Sequence, residues 1–107
     1  MKTLKFSEPL PKLMLEGKKN ISWRINDEKG ITVGDKISLC HNSGEKFAEA
    51  IVIWIKETSF GGLTEEDIIG HEEFSSEEEM YQMYFKYYGF EVKPETKLKV
   101  IKFKLKN

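Results

Sequence analysis

Seven residues, Lys18-Lys19-Asn20-Ile21-Ser22-Trp23-Arg24, gather two ammonium groups, a hydroxyl and a guanidinium directly after Gly17. Side chains alternate between the faces of a strand. With residues 20–25 as a strand, Ile21, Trp23 and Ile25 share one face, and Asn20, Ser22 and Arg24 share the other. The first face suits a core. The second sets an alcohol beside a guanidinium, with Lys18 and Lys19 at the strand's entrance. Such a set can hold an anionic or carbonyl-bearing ligand. An arginine engages phosphate or carboxylate through two parallel bonds, although Arg24 can equally pair with an acid nearby. For Lys19 to act as a base towards Ser22 near neutrality, its pKa must fall by roughly 3 units from about 10.4, a cost of about 4–5 kcal/mol. A dry pocket or neighbouring cations such as Lys18 and Arg24 supply that shift. Strict alternation puts Lys19 opposite Ser22, so the two meet only if Lys19 lies in the loop ahead of the strand. The competing reading is a solvated lysine at a helix C-terminus, where the helix dipole favours a cation.

The other reactive side chains form no comparable set. Cys40, His41 and His71 lack the ligand number and spacing of a structural zinc site, so no metal and no other cofactor is expected. Cys40 reads as a small buried hydrophobe. Trp23 and Trp54 have faces on which bases can stack, but both sit in apolar surroundings and read as core.

The elements that must position this set follow from pattern and punctuation. Lys2 to Phe6 alternates like a strand. Pro9 and Pro11 suit a first helical turn, Leu10, Leu13 and Met14 follow at helical spacing, and Gly17 ends the helix. Strands are expected over 20–25, 36–40 and 46–57, the last so apolar that it is buried on both faces or bulged. Gly61-Gly62 breaks it. Thr64 caps a short helix whose first turn is acidic. Ser76 and Glu79 have capping-box spacing and open a longer helix with a stripe at Met80, Met83, Tyr84 and Tyr87, stopped by Gly89. Tyr81 and Tyr88 are its candidates for exposure. A last strand runs over 97–105, where the apolar phase shifts between Val100 and Ile101 and predicts a bulge. Its lysines at 97, 99 and 102, with Lys104 and Lys106, read first as protection of a sheet edge, the alternative being a basic stripe that binds phosphates nonspecifically.

The chain has 107 residues, 39% hydrophobic and 33% charged, which fits one globular domain over 1–107. The net charge is −1, but residues 65–79 hold eight acids and no Lys or Arg, leaving ten acids against seventeen bases elsewhere. The acidic block reads as a solvated helical face, and a basic surface is available away from it. No apolar run approaches the roughly 20 residues of a membrane span. The first residues lack the apolar stretch of a secretory leader. The single cysteine excludes an internal disulfide. The protein is expected to be cytoplasmic, to bind no membrane and to be held by its core alone.

Gly17-Lys18-Lys19-Asn20-Ile21-Ser22-Trp23-Arg24, then Val33-Gly34-Asp35, a hydrophobic strand, Leu63-Thr64-Glu65-Glu66, and Glu72-Glu73-Phe74-Ser75-Ser76 ahead of a helix together resemble the ASCH domain of the PUA-like superfamily. The resemblance runs from about Leu4 to Phe103. It implies an α+β fold: a small PUA-like β-barrel of about five to six mixed or antiparallel strands with flanking helices. It also implies a cleft at Gly17 to Arg24 that binds RNA or modified nucleosides. No DNA partner is expected, and a monomer is favoured. One branch of small bacterial ASCH proteins hydrolyses N(4)-acetylcytidine to cytidine and acetate. Likeness to that branch implies a catalytic set of Lys19, Ser22 and Glu72, with Arg24 shared more widely. Ser22 stands where that branch has threonine, without the methyl that fixes the rotamer, and Trp23 is bulkier than the aliphatic residue found there.

Three functions are therefore expected in descending order. The first is an RNA- or modified-nucleoside-binding module that grips its ligand with Lys18, Lys19, Ser22 and Arg24. The second is an amidohydrolase deacetylating N(4)-acetylcytidine. The third is a protein-interaction adaptor using the acidic helical face around Glu77 to Glu79.

Overall fold

The computed structural model describes residues 1–106. The order of elements is β1 (Lys2–Phe6), α1 (Leu10–Leu15), β2 (Ile21–Arg24), β3 (Lys36–His41), β4 (Lys46–Ser59), α2 (Glu65–Ile68), α3 (Glu77–Tyr88) and β5 (Lys97–Leu105), with a 3₁₀ turn at Phe60–Gly62. The five strands form one curled half-barrel in the order β1-β3-β4-β5-β2. β1 runs parallel to β3, and the other pairs are antiparallel. This is the small α+β barrel with flanking helices that the sequence implies. No helix among the described residues is long and apolar enough to cross a membrane.

Two apolar clusters fill the fold. Leu4 and Phe6 of β1 meet α1, Ile37 and Leu39 of β3, and Ile101 and Phe103 of β5 in the first. Ile21, Trp23 and Ile25 meet Phe60, Leu98, Val100 and the Met80 and Tyr84 positions of α3 in the second. β5 therefore buries opposite faces at its two ends. That is why its apolar phase shifts between Val100 and Ile101; no extra residue is inserted there. The bulge lies in the partner strand: Val52 pairs with Phe103 and Trp54 with Lys102, leaving Ile53 unmatched and 47% exposed. β4 is thus bulged, one of the two outcomes its composition allows.

The lysines of β5 do not guard an edge, because β5 lies between β4 and β2. The edge strands are β1 and β2, and side chains bridge β1 to β2 and to the loop that follows it. Arg24 Nη2 donates to Lys5 O at 2.9 Å, Lys2 Nζ to Gly30 O at 2.8 Å, and Lys29 Nζ to Thr3 O.

Helix entries and exits follow local chemistry. α1 ends in a Schellman closure, with Gly17 at φ 77° donating to Met14 O (3.1 Å) and Lys18 N to Leu13 O (2.8 Å). Thr64 N donates to Asp67 Oδ2 at 2.8 Å, which pins the start of α2. Ser76 Oγ accepts from Glu79 N at 3.1 Å as its spacing predicts. The Glu79 carboxylate in turn accepts from Ser75 N (3.0 Å) and Ser75 Oγ (2.7 Å), one residue further upstream than in a simple capping box. On α3, Tyr81 and Tyr88 are half-buried, and the exposed aromatics are Phe85 and Tyr87.

Candidate functional site

Three chain segments converge on one pocket of about 390 Å³. The turn that ends α1 delivers Lys19, β2 delivers Ser22 and Arg24, and the segment between α2 and α3 delivers Glu72. The last placement depends on Gly70. Its carbonyl accepts from Asn20 N (2.8 Å) and Ile21 N (3.2 Å), and its φ is +94°. A Cβ on that residue would lie 2.0 Å from Asn20 Oδ1, so only glycine lets the segment approach β2 this closely. Glu72 follows two residues later.

Lys19 does lie in the loop ahead of β2, and it is 3% exposed. Its Nζ donates to Ile21 O at 2.6 Å and pairs with Glu72 Oε1. Burial drives its pKa down from 10.5 to about 8; Glu72 opposes that fall, and Arg24 adds to it. Such a lysine carries a labile proton near neutral pH. Ser22 is buried, and its Oγ accepts from Arg24 Nε at 2.8 Å. An accepted bond leaves the hydroxyl hydrogen free for another acceptor. Arg24 lies over the Phe6 ring, 4.6 Å from its centroid, and burial lowers its pKa from the ordinary guanidinium value. The structure thus brings Lys19, Ser22, Arg24 and Glu72 to one hollow. It does not join Lys19 directly to Ser22 among its hydrogen bonds.

Lys18 is separated from the others. Its side chain is 68% exposed, lies 3.6 Å from Glu16 Oε1 and does not line this pocket. The chain reverses at Gly17, and consecutive side chains leave that turn on different sides, so Lys18 faces water while Lys19 turns inward.

The sequence reading missed His71, Tyr84 and the rim. His71 stacks on Trp23, with ring centroids 3.7 Å apart, and is buried. Its Nδ1 lies 2.9 Å from Glu72 O, and its Nε2 lies 3.1 Å from Tyr84 Oη. A carbonyl can only accept, so Nδ1 carries the hydrogen and Nε2 accepts from the Tyr84 hydroxyl. Burial, followed by the positive charges of Lys19 and Arg24, holds the imidazole neutral down to about pH 2. Burial raises the Tyr84 pKa well above the ordinary phenol value, so this hydroxyl keeps its proton. The chain Tyr84–His71–Glu72 thereby fixes the backbone that presents the carboxylate to Lys19. Adjacency to Glu72 was the available signal for His71. Tyr84 was visible in the helical stripe, but helical spacing gives only burial. Lys5, Ser7, Leu10, Asn42, Lys86, Tyr87 and Tyr88 also line the pocket.

No family model matches the chain, and no curated protein matches it. Solved structures do. The hypothetical protein PH0355 has a TM-score of 0.76 and 27% identity over 99% of this chain and 100% of that one. An ASCH domain from Lactobacillus crispatus has a TM-score of 0.68 and 16% identity over 89% of this chain and 69% of that one. A mutant ASCH protein from Zymomonas mobilis has a TM-score of 0.66 and 17% identity over 95% of this chain and 66% of that one. These likenesses are of fold, and the chain has the fold of an ASCH domain.

Proposed function

We propose that the pocket binds a modified nucleoside and hydrolyses an acyl amide on its base, with N(4)-acetylcytidine as the model substrate. The observation that carries this reading is Lys19, buried against Glu72 with a pKa of about 8, in the same hollow as the Ser22 hydroxyl. A surface that only attracts phosphate keeps its cations solvated and protonated. Here a desolvated amine sits beside an alcohol and a carboxylate, which is the composition of an activated nucleophile.

In this reading, neutral Lys19 turns from Ile21 O towards Ser22 and takes the Oγ proton as Oγ bonds to the amide carbon. The Arg24 guanidinium, already on Ser22, faces the oxyanion that forms. Collapse breaks the C–N bond, and the proton passes from Lys19 by way of Glu72 to the departing amine. Water then cleaves the acyl-serine ester and releases the acid. Tyr87 and Tyr88 supply faces for the base.

The test is incubation with N(4)-acetylcytidine, following cytidine release. Wild-type protein is expected to turn over, and Ser22→Ala, Lys19→Met and Glu72→Gln to lower kcat by about 10²-fold or more each. A second reading, nucleoside or RNA binding without turnover, is favoured by one observation: Ser22 Oγ is engaged by Arg24, and Lys19 by Ile21 and Glu72. Retained binding of the nucleoside with no product from wild-type protein would select that reading. An RNA strand as the ligand would add a steep loss of affinity with salt.

A further inference from the structure

The pocket is lined by four cations, Lys5, Lys19, Arg24 and Lys86, and one carboxylate, Glu72. Lys19 and Glu72 neutralise each other at its base. Among the described residues, Lys5, Arg24 and Lys86 have no ion-pair partner. Lys5 and Lys86 are exposed, and Arg24 is half-buried. Lys5 and Lys86 thus add two unpaired positive charges to the lining, and a hollow lined by an excess of one sign of charge draws in an anion. Ammonium groups are donors that phosphate oxygens accept, whereas Arg24 is already committed to Ser22 Oγ and Lys5 O.

The adjoining groove has the opposite sign. It shares Ser7, Leu10, Glu72 and Tyr87 with the pocket, and its own rim carries Glu8, Glu73 and Glu79 against Lys18 alone. A strand leaving the pocket by this side would press its phosphates against carboxylates. The change of sign across this shared rim suits one phosphate and opposes a run of them in that direction. Building on the nucleoside reading above, we infer that the ligand is a nucleoside monophosphate, with the exposed Lys5 and Lys86 receiving its phosphate.

The test measures binding without turnover, so it is independent of hydrolysis. Cytidine, cytidine 5′-monophosphate, cytidine 3′-monophosphate and a short cytidine oligoribonucleotide are titrated calorimetrically at low and moderate salt. One of the two monophosphates is expected to bind about tenfold more tightly than cytidine, with the margin shrinking as salt rises. The double variant Lys5→Ala/Lys86→Ala should collapse that ratio, and Lys86→Glu should reverse part of it. Both lysines are exposed and unpaired, and an unchanged melting temperature certifies the variants. Equal affinity for nucleoside and monophosphates, a ratio that survives the double variant, no binding of any monophosphate, or tighter binding of the oligonucleotide at equal salt would each overturn the inference. Failure of acetylcytidine turnover alone would leave it standing.

Discussion

The acid–base behaviour of Lys19 is set by opposing pulls. Burial favours the neutral amine, and the Glu72 carboxylate favours the ammonium. A hydrolase that needs neutral Lys19 should show kcat/KM rising with pH through about 8. Glu72→Gln removes the group that holds the proton on, so the Lys19 titration, followed by NMR of its side-chain carbons, should move below that of the wild type. A movement upward would contradict the assignment. His71 gives a separate test. Its folded pKa of about 2 lies below the free value of 6.5, so beneath pH 6.5 the unfolded chain binds the additional proton and stability falls with pH. The slope contributed is up to about 1.4 kcal/mol per pH unit. His71→Phe, which keeps a ring over Trp23, should flatten the acid limb of denaturant midpoints between pH 7 and 4. At this scale Lys19, Ser22 and Arg24 were legible because type and spacing coincide in one short segment. The outward turn of Lys18 was not, since the direction of a side chain beside a left-handed glycine depends on where the chain goes next.

Among the elements, α2 is only four residues long and owes its place to one side chain. Asp67 is fully buried, and its Oδ2 accepts from Thr64 N, Thr64 Oγ1 (3.0 Å) and Lys56 Nζ (2.9 Å). Burial alone would raise its pKa, but the bonds from Thr64 and Lys56 outweigh that and hold it below the ordinary value. Its backbone carbonyl also accepts the Trp23 indole N–H at 3.0 Å, which ties α2 to the site strand. Asp67→Ala should cost about 3 kcal/mol, measured by urea unfolding at neutral pH, because it removes three hydrogen bonds to a charged acceptor and empties a fully buried site. Asp67 was visible in the sequence only as one of eight acids in a block. Thr64 marked the helix start correctly, but nothing in a single chain separates a capping aspartate from a solvated one. The strands were legible from alternation, the bulge of β4 only as one of two options. The site of that bulge depends on register against β5, which is a property of the pair.

At the scale of the whole molecule, composition, element order and the ASCH-like motifs pointed to a small α+β barrel, and the fold is that. The strand order was hidden, because the lysine-rich β5 looks like a rim from its own sequence and is interior only once β2 docks on it. The side-chain bridging of β1 to β2 has an implication for motion. Amides along that line have no ladder partner across it, so the molecule should part there before it parts anywhere in β3–β4–β5. A solute lodged between Phe6 and Ser22 would lean on both lips at once and act as a removable rivet. Hydrogen–deuterium exchange in β1 and β2 should therefore slow when the pocket is filled, while exchange in β3 and β4 stays constant. Uniform slowing across all five strands would mean that the line opens only with the rest of the barrel.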